Sequence, residues 1–501
     1  MTNKSIFPGK IAVSFFLSVA LFLTMSASSG IPASQSVAAA PFAAASPSFE
    51  SLGLGPNGVQ SRAWDVSADG SVVVGTFWAP SGSFAVPPHA YRWTTGTFQD
   101  LGTLNPNAQE AEAYAVSDDG TKVVGWARGL SGFQRPFVWT AASGMQELSN
   151  VPGSDAKATD ISRDGSTIVG SFYVDAEGSW HAFQWKSGVV TDLGFLSGGR
   201  DSKAQAVCAL GGAVVGSTVD STGIQRAFRW RNGTIQNLGG VSRNNLAYAE
   251  DCSDNGNVVV GTSMDDKGNQ LATRWDTAGV RSLGTLGGPS SESHATSTDG
   301  SVVVGGAGLP LVNGVSEYSA FRWASATGKI EQLSKVLQTL GVTTPFCHQV
   351  PCAGGTWFIQ LALGVSSDGS VIVGDTIDPN GNSQAFRAVV PTSGTGGGGT
   401  SACPSGFTQL TLTVTTAPGA AAGSVSSKQN SGSGTPLRVS SGQTVAACFQ
   451  SNNRLTLQGD NRRLVDWAGS PAISCKNGNL RQNQCEFVLG TASQSVTATL
   501  R

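Results

Sequence analysis

Charge is scarce in this 501-residue chain: Asp, Glu, Lys and Arg make up 13% of it and nearly cancel, leaving a formal net charge of -2. No basic block or acidic tail occurs, so a nucleic-acid partner, which needs a cationic stripe to neutralise phosphates, is excluded. Histidine is scarcer still, with four residues at 89, 181, 294 and 348. They are too scattered for a metal cluster, and no H-x-x-x-H pair, C-x-x-C pair or G-x-S-x-G elbow stands in a usable context. Long apolar runs are missing too, apart from Ile11 to Met25, which follows Lys4 and Lys10 and precedes the small residues Ser26 to Ser29. That layout is a secretory signal peptide, expected over residues 1–27. The run falls short of the ~20 residues of a membrane helix, so no stable span is expected once it is removed. Residues 28–48, rich in Ala, Ser and Pro, read as a disordered leader.

What the chain has in abundance is glycine, 65 residues, with 40% hydrophobic residues. This is a sheet-and-turn composition. The string "VSADGSVVVG" at 66–75 recurs, closing on Gly75, Gly125, Gly170, Gly216, Gly261, Gly305 and Gly374, in steps of 50, 45, 46, 45, 44 and 69. A second string ends on Trp93, Trp139, Trp185, Trp230, Trp275 and Trp323, decaying to Ala388. A third, built on Leu-Gly or Leu, lies near Leu101, Leu148, Leu193, Leu238, Leu283 and Leu333; the missing copy is "FESLG" at 49–53, ahead of the first repeat.

Each unit reads as a tight Asp-Gly hairpin, a third strand around "AFRW" and a short fourth strand at the Leu-Gly string. Four antiparallel strands per ~45 residues make the blade of a β-propeller. The expected fold is therefore all-β: a seven-bladed β-propeller over 49–391, with four-stranded blades. The stray N-terminal strand closes the ring by completing the last blade, so that no sheet edge stays open. The repeat aspartates (Asp69, Asp119, Asp164, Asp299 and Asp368, with Asn255 in the fifth copy) are expected to form turns rather than a ring of ligands. The repeat tryptophans are expected to pack between blades. The long final step carries an insert between Leu333 and Ala362, read as a disulfide-tied loop projecting from one blade. The combination "LGTLGG…DGSVVVG…AFRW", with His181, Ala182 and Phe183 in one copy, resembles the HAF-type extracellular repeat. That resemblance implies fold and export, and supplies no reaction class.

Residues 392–402 are a Gly-rich linker, "TSGTGGGGT" at its heart. From 403 to 501 the chain alternates in strand fashion, and "LTVTT…GAAAGSVSS", "LVDWAGS" and "CEFVLGTASQSVTATL" resemble an internalin-type B-repeat, implying a small disulfide-containing β-rich domain. The eight cysteines of an exported chain are expected to be disulfides. Cys208 and Cys252 occupy corresponding strands of neighbouring blades, Cys347 and Cys352 sit in the insert, and Cys475 and Cys485 flank a polar loop, leaving Cys403 with Cys448.

Five tryptophans fall outside the repeat pattern: Trp64, Trp78, Trp126, Trp180 and Trp357. They are candidate stacking platforms for sugar rings, against the alternative that they fill core volume. His348, between two cysteines, is a candidate binding residue, with disulfide formation favoured over a metal site there. No cofactor is expected; the loops at 264–270 and 378–384 cluster oxygens that would suit calcium but lack the spacing of a recognised site, and the turn reading is preferred. The leading function is a secreted or cell-surface, non-catalytic binding or adhesion module, expected to be a monomer, whose partner is an extracellular glycan or protein. The alternatives are a secreted hydrolase or lyase with acid and base groups converging in the central funnel, and a structural spacer of the envelope.

Overall fold

A computed structural model describes residues 46–391, except 81–85, 209–211, 243–245, 313–316, 349–351 and 353, and eight backbone strands between 407 and 500. Seven four-stranded antiparallel sheets form the propeller. Blade 1 runs Gln60–Val66, Val72–Trp78, Pro88–Thr94 and Thr97–Asp100. Blades 2 to 6 repeat this order, their first strands being Ala111–Val116, Ala156–Ile161, Asp201–Cys208, Ala247–Cys252 and Ser291–Thr296. Blade 7 takes Phe358–Val365, Val371–Ile377 and Ser383–Val389 from the end of the repeat array and its fourth strand, Ser48–Gly53, from the start. Ser48 pairs with Val389, so the ring closes by strand pairing as the displaced "FESLG" required.

The hairpin aspartates are turn formers. Asp69 Oδ1 accepts the Ser71 N–H (2.9 Å) and the hydroxyls of Ser71 (2.8 Å) and Ser67 (2.7 Å). The same set recurs at Asp119, Asp164 and Asp368. Repeat tryptophans pack across blades: Trp139 of blade 2 lies with Val72 and Val74 of blade 1, and Trp323 of blade 6 with Val258 and Val260 of blade 5. The Leu-Gly strings end the fourth strands of blades 5 and 7, but in the other five blades the leucine lies just past the strand; Leu101 follows Asp100, gives its N–H to the Ala90 carbonyl (2.9 Å) and plugs the core.

The insert differs from its expectation in two ways. Its first part is a helix, Leu333–Thr339, and this helix packs into the blade cores instead of projecting. Leu333, Leu337 and Phe346 are buried with Ile359 and Phe386 in the core of blades 6 and 7, and Trp357 packs on Phe49 with ring centroids 5.7 Å apart. Leu333 and Leu337, one helical turn apart, present an apolar stripe that this core absorbs.

One contact recurs in all seven blades. The first strand carries a β-bulge, at Trp64, Tyr114, Thr159, Gln205, Glu250, His294 and Leu363 in blades 1 to 7. Opposite each bulge stands the glycine that closes the sequence motif. A Cβ on that glycine would lie 1.9–2.2 Å from a first-strand carbonyl oxygen, 1.9 Å from that of Glu112 at Gly125 and 2.2 Å from that of Tyr248 at Gly261. The glycine is there because the bulge pushes backbone into the space of a side chain.

The segment beyond 407 forms two further four-stranded sheets. One orders Thr444–Gln450, Phe407–Thr416, Gln494–Leu500 and Val465–Ser470, the first and last segments of the chain order pairing in parallel. The other orders Arg438–Ser440, Ser424–Gln429, Arg454–Gly459 and Gln484–Val488. The side chains of Cys403, Cys448, Cys475 and Cys485 lie outside the described residues. In the propeller Cys208–Cys252 and Cys347–Cys352 are both disulfide-bonded, the former joining the first strands of blades 4 and 5 with Cα atoms 5.5 Å apart.

Two stability measurements check this account. Gly125→Ala is expected to destabilise the propeller by about 1–3 kcal/mol or more through overpacking, whereas Gly212→Ala, with open space around it, is expected to stay within about 0.5 kcal/mol; denaturant titration reads both. Replacing Cys208 and Cys252 together by Ala is expected to cost about 4 kcal/mol in the chain-entropy account of a cross-link, seen as a lower unfolding midpoint under oxidising conditions and a smaller further shift on adding reductant than the wild type shows, since Cys347–Cys352 remains.

Candidate functional site in the axial chamber

The seven bulges aim one residue per blade at the propeller axis. There they line a chamber of about 330 Å³ whose walls include Trp64, Tyr114, Thr159, Gln205, Glu250, His294 and Leu363, with Lys157. The seven bulge positions are equivalent in the repeat, and no two carry the same side chain.

The residue after each bulge builds the floor. It is Asp65, Ala115, Asp160, Ala206, Asp251, Ala295 and Gly364, so acids stand in blades 1, 3 and 5 only. Each acid clasps the next blade. Asp65 accepts the N–H of Val66 (2.7 Å) and of Val116 in blade 2 (2.9 Å). Asp160 accepts those of Ile161 and, in blade 4, Val207 (both 2.7 Å). Asp251 accepts those of Cys252 (2.6 Å) and, in blade 6, Thr296 (2.7 Å). Below them lies a second cavity of about 90 Å³, which the same three aspartates line together with Arg163. Arg163, in the blade 3 hairpin, reaches Asp118 of blade 2 (3.2 Å), Asp254 of blade 5 (2.7 Å) and the Ser367 hydroxyl of blade 7. Backbone bonds link the same turns: Ala68 to Asp118, Asp118 to Arg163, Asp254 to Thr298 and Thr298 to Ser367, at 2.9–3.1 Å. Among the described residues Arg163 and these bonded turns thus span the hairpin end of the channel.

Electrostatics in the chamber follow from confinement. Burial pushes the Glu250 carboxyl up to about 7, against the hydrogen bond from Gln205 Nε2 (2.9 Å) and with help from Glu292 and Asp251. Burial raises Asp65 to about 6 and Asp251 to about 7, although two backbone N–H donors pull each down. Asp160 is raised as well, by burial and then by repulsion from Asp65 and Asp251. Burial and the Arg62 charge lower His294 to about 4, and its Nε2 is buried with no hydrogen-bond partner among the described residues. Burial, followed by the charge of Lys203, lowers Lys157.

Of the five off-pattern tryptophans only Trp64 enters this chamber. Its Nε1–H goes to Thr76 (3.1 Å), Arg62 lies over its ring (5.0 Å), and the Tyr114 ring meets it edge-on (5.6 Å). Trp126 is buried, giving its N–H to the Tyr114 hydroxyl (3.1 Å). Trp180 is half-buried beside Tyr173 and under Lys203, Trp78 is half-buried at a strand end beside Pro88, and Trp357 packs into the core. His348 bonds Ser334 Oγ and Gln338 Oε1, both at 2.8 Å, outside the chamber. In the loops considered for calcium, Asp265 and Asp378 give their oxygens to the N–H groups of their own turns, from Lys267 and Asn269 and from Asn380 and Asn382.

A nucleophile-like array elsewhere proves structural. His181 Nδ1 meets Asp192 (2.7 Å) and its Nε2 meets Ser179 Oγ (3.2 Å). Ser179 is buried, however, and His89–Asp100 and Arg135–Glu147 make the same cross-strand pair in blades 1 and 2. It is a clamp between third and fourth strands. The sequence pointed to the loop-bearing faces or the central funnel, with the variable turns and the insert preferred, and of the wall residues it singled out Trp64 alone. The signal available was a column of unlike residues set between the repeat's alanine and its Val-Ser.

No protein-family profile and no curated protein matches the chain. Among solved structures it is similar to a TolB from Agrobacterium tumefaciens, at 16% identity over 45% of this chain and 81% of that one, TM-score 0.35. An oligogalacturonate lyase from Vibrio parahaemolyticus aligns at 10% identity over 70% and 98% of the two chains, TM-score 0.43. The β-propeller domain of the Trilobed protease from Pyrococcus furiosus aligns at 9% over 66% and 95%, TM-score 0.42.

The raised carboxyls fix a pH dependence. A group whose folded pKa exceeds its unfolded value stabilises the fold below the unfolded pKa, and that contribution is lost as pH rises through the folded value. Asp65, Asp160, Asp251 and Glu250 all act in this sense. His294 opposes them, since its depressed pKa withdraws stability as pH falls from about 6.5 towards 4. The turn aspartates Asp69, Asp119 and Asp164, whose combined turn hydrogen bonds outweigh burial and hold them low, lose theirs only in more acid solution. The melting temperature is therefore expected to be higher at pH 5.5 than at pH 8, as differential scanning calorimetry would read, and a flat or rising profile towards pH 8 would contradict the assignment.

Proposed function

We propose that this chain is exported and acts as a non-catalytic binding module that receives part of an extracellular ligand, glycan- or protein-derived, in its axial chamber. The carrying observation is the wall itself: seven equivalent positions, held by one backbone device, bear seven different side chains that converge on one cavity. A scaffold needs uniformity there, whereas a site needs distinct groups in fixed places. The N-terminal signal-like segment, the HAF-type resemblance and the two disulfides of the propeller all support export. The B-repeat-like segment after the linker is read as an accessory module of the same exported chain.

A catalytic reading, hydrolase or lyase, draws on one observation: Glu250 has a carboxyl lifted to about 7 beside a lysine and a histidine, the setting of a general acid or base. The two readings separate on recovery of the ligand, which a binding module releases unchanged after prolonged incubation.

The test uses the full mature chain on glycan and peptide arrays beside Gln205→Trp. Blade 1 already carries Trp64 at the equivalent bulge, so the backbone tolerates the indole, which fills the chamber. The variant is expected to keep the wild-type melting temperature within a few degrees and to lose at least tenfold in affinity for whatever the wild type retains. Undiminished binding by the variant would remove the chamber from consideration.

A further inference from the structure

Apart from Thr159 of blade 3 and His294 of blade 6, the chamber wall is divided by chemistry into three sectors that follow the blade order. Blades 7, 1 and 2 contribute Leu363, Trp64 and Tyr114, an apolar and aromatic arc. Blade 3 contributes the ammonium of Lys157, which lies 5.8 Å over the Tyr114 ring. Blade 5 contributes the carboxylate of Glu250, with Gln205 of blade 4 between the two charges and bonded to Glu250. Lys157 feels the Glu112 charge and, less strongly, that of Glu250, and Glu250 feels Lys157 in turn, yet neither Lys157 nor Glu250 forms an ion pair among the described residues.

Resting on the chamber reading above, we propose that its ligand is a free α-amino acid with an apolar side chain. An ammonium and a carboxyl confined on separate walls, whose charged forms burial opposes, gain most from a ligand that brings the opposite charge to each. An α-amino acid carries an ammonium, a carboxylate and a side chain on one tetrahedral carbon. Glu250 takes the first, Lys157 the second and the Leu363–Trp64–Tyr114 arc the third. About 330 Å³ lies near the lower limit of small-molecule sites, about 300 Å³. The floor of aspartates, with Arg163 bridging blades 2, 3, 5 and 7 beneath it, obstructs a chain threaded through the ring. A neutral saccharide would leave both charges without partners, and a peptide carries only one of its two charged ends into so short a cavity.

The experiment is calorimetric titration of the full mature chain with L-leucine, D-leucine, N-acetyl-L-leucine, L-leucinamide and maltose. L-leucine is expected to bind. Acetylation of the amine or amidation of the carboxylate should each weaken it at least tenfold, and the two enantiomers should differ by a similar factor, because three fixed contacts define a handedness. Lys157→Met should abolish the penalty for amidation while keeping that for acetylation, and Glu250→Gln should do the converse. Indifference to either cap, equal binding of the enantiomers or absence of leucine binding overturns the proposal. Binding of maltose that Gln205→Trp abolishes, with leucine inert, overturns it while the chamber reading stands; leucine binding unaffected by Gln205→Trp overturns both.

Discussion

The propeller depends on a steric vacancy repeated seven times. In each blade a glycine of the second strand lacks the Cβ that would strike a carbonyl of the first strand, and the first strand uses that space to extrude one residue towards the axis. Any larger residue would press the bulge flat, and a flattened strand would shift its side chains by one place, turning wall residues into the blade core. The same glycine therefore governs both the packing of the blade and the contents of the chamber.

Around that device the axis is laced by polar contacts that alternate with the blades. Aspartates tie blade 1 to 2, 3 to 4 and 5 to 6, the Cys208–Cys252 bridge ties 4 to 5, and Arg62–Asp375 (2.7 Å) ties 1 to 7. Arg163 gathers blades 2, 5 and 7 onto blade 3. Hydrophobic packing between blades has no direction of its own, so any neighbour of similar shape would satisfy it. The hydrogen-bonded axis supplies the registry that apolar contact leaves open.

Much of this was legible because it is local and repeated. The strand strings, the Asp-Gly turns and the stray "FESLG" each encode a short piece of backbone, and recurrence makes each unmistakable; the pairing of Cys208 with Cys252 followed from placing both on one repeat. The chamber was not legible in the same way. Its wall residues lie some 45 positions apart, each beside a motif and none within it, so a column of Trp, Tyr, Thr, Gln, Glu, His and Leu resembles tolerance rather than selection. Only the ring, by bringing the seven to one axis, gives the differences a common meaning. The helix at Leu333–Thr339 was hidden for another reason: it begins on the leucine that in the other blades ends or follows a strand, and the periodic expectation concealed the change from period two to a helical one.

Ring closure also sets how the molecule bears load. The chain enters the propeller at Ser48 and leaves past Val389, residues that face each other at one end of a single antiparallel pair, on the side of the hairpin turns where Val390 bonds Ser370. A pull between the segments before and after the propeller acts on that pair from its open end. The hydrogen bonds are then loaded one after another instead of together, and the strand peels as a zipper does. Blade 7 yields at low force while the other six, whose strands are continuous, carry none of the tension until the ring has opened.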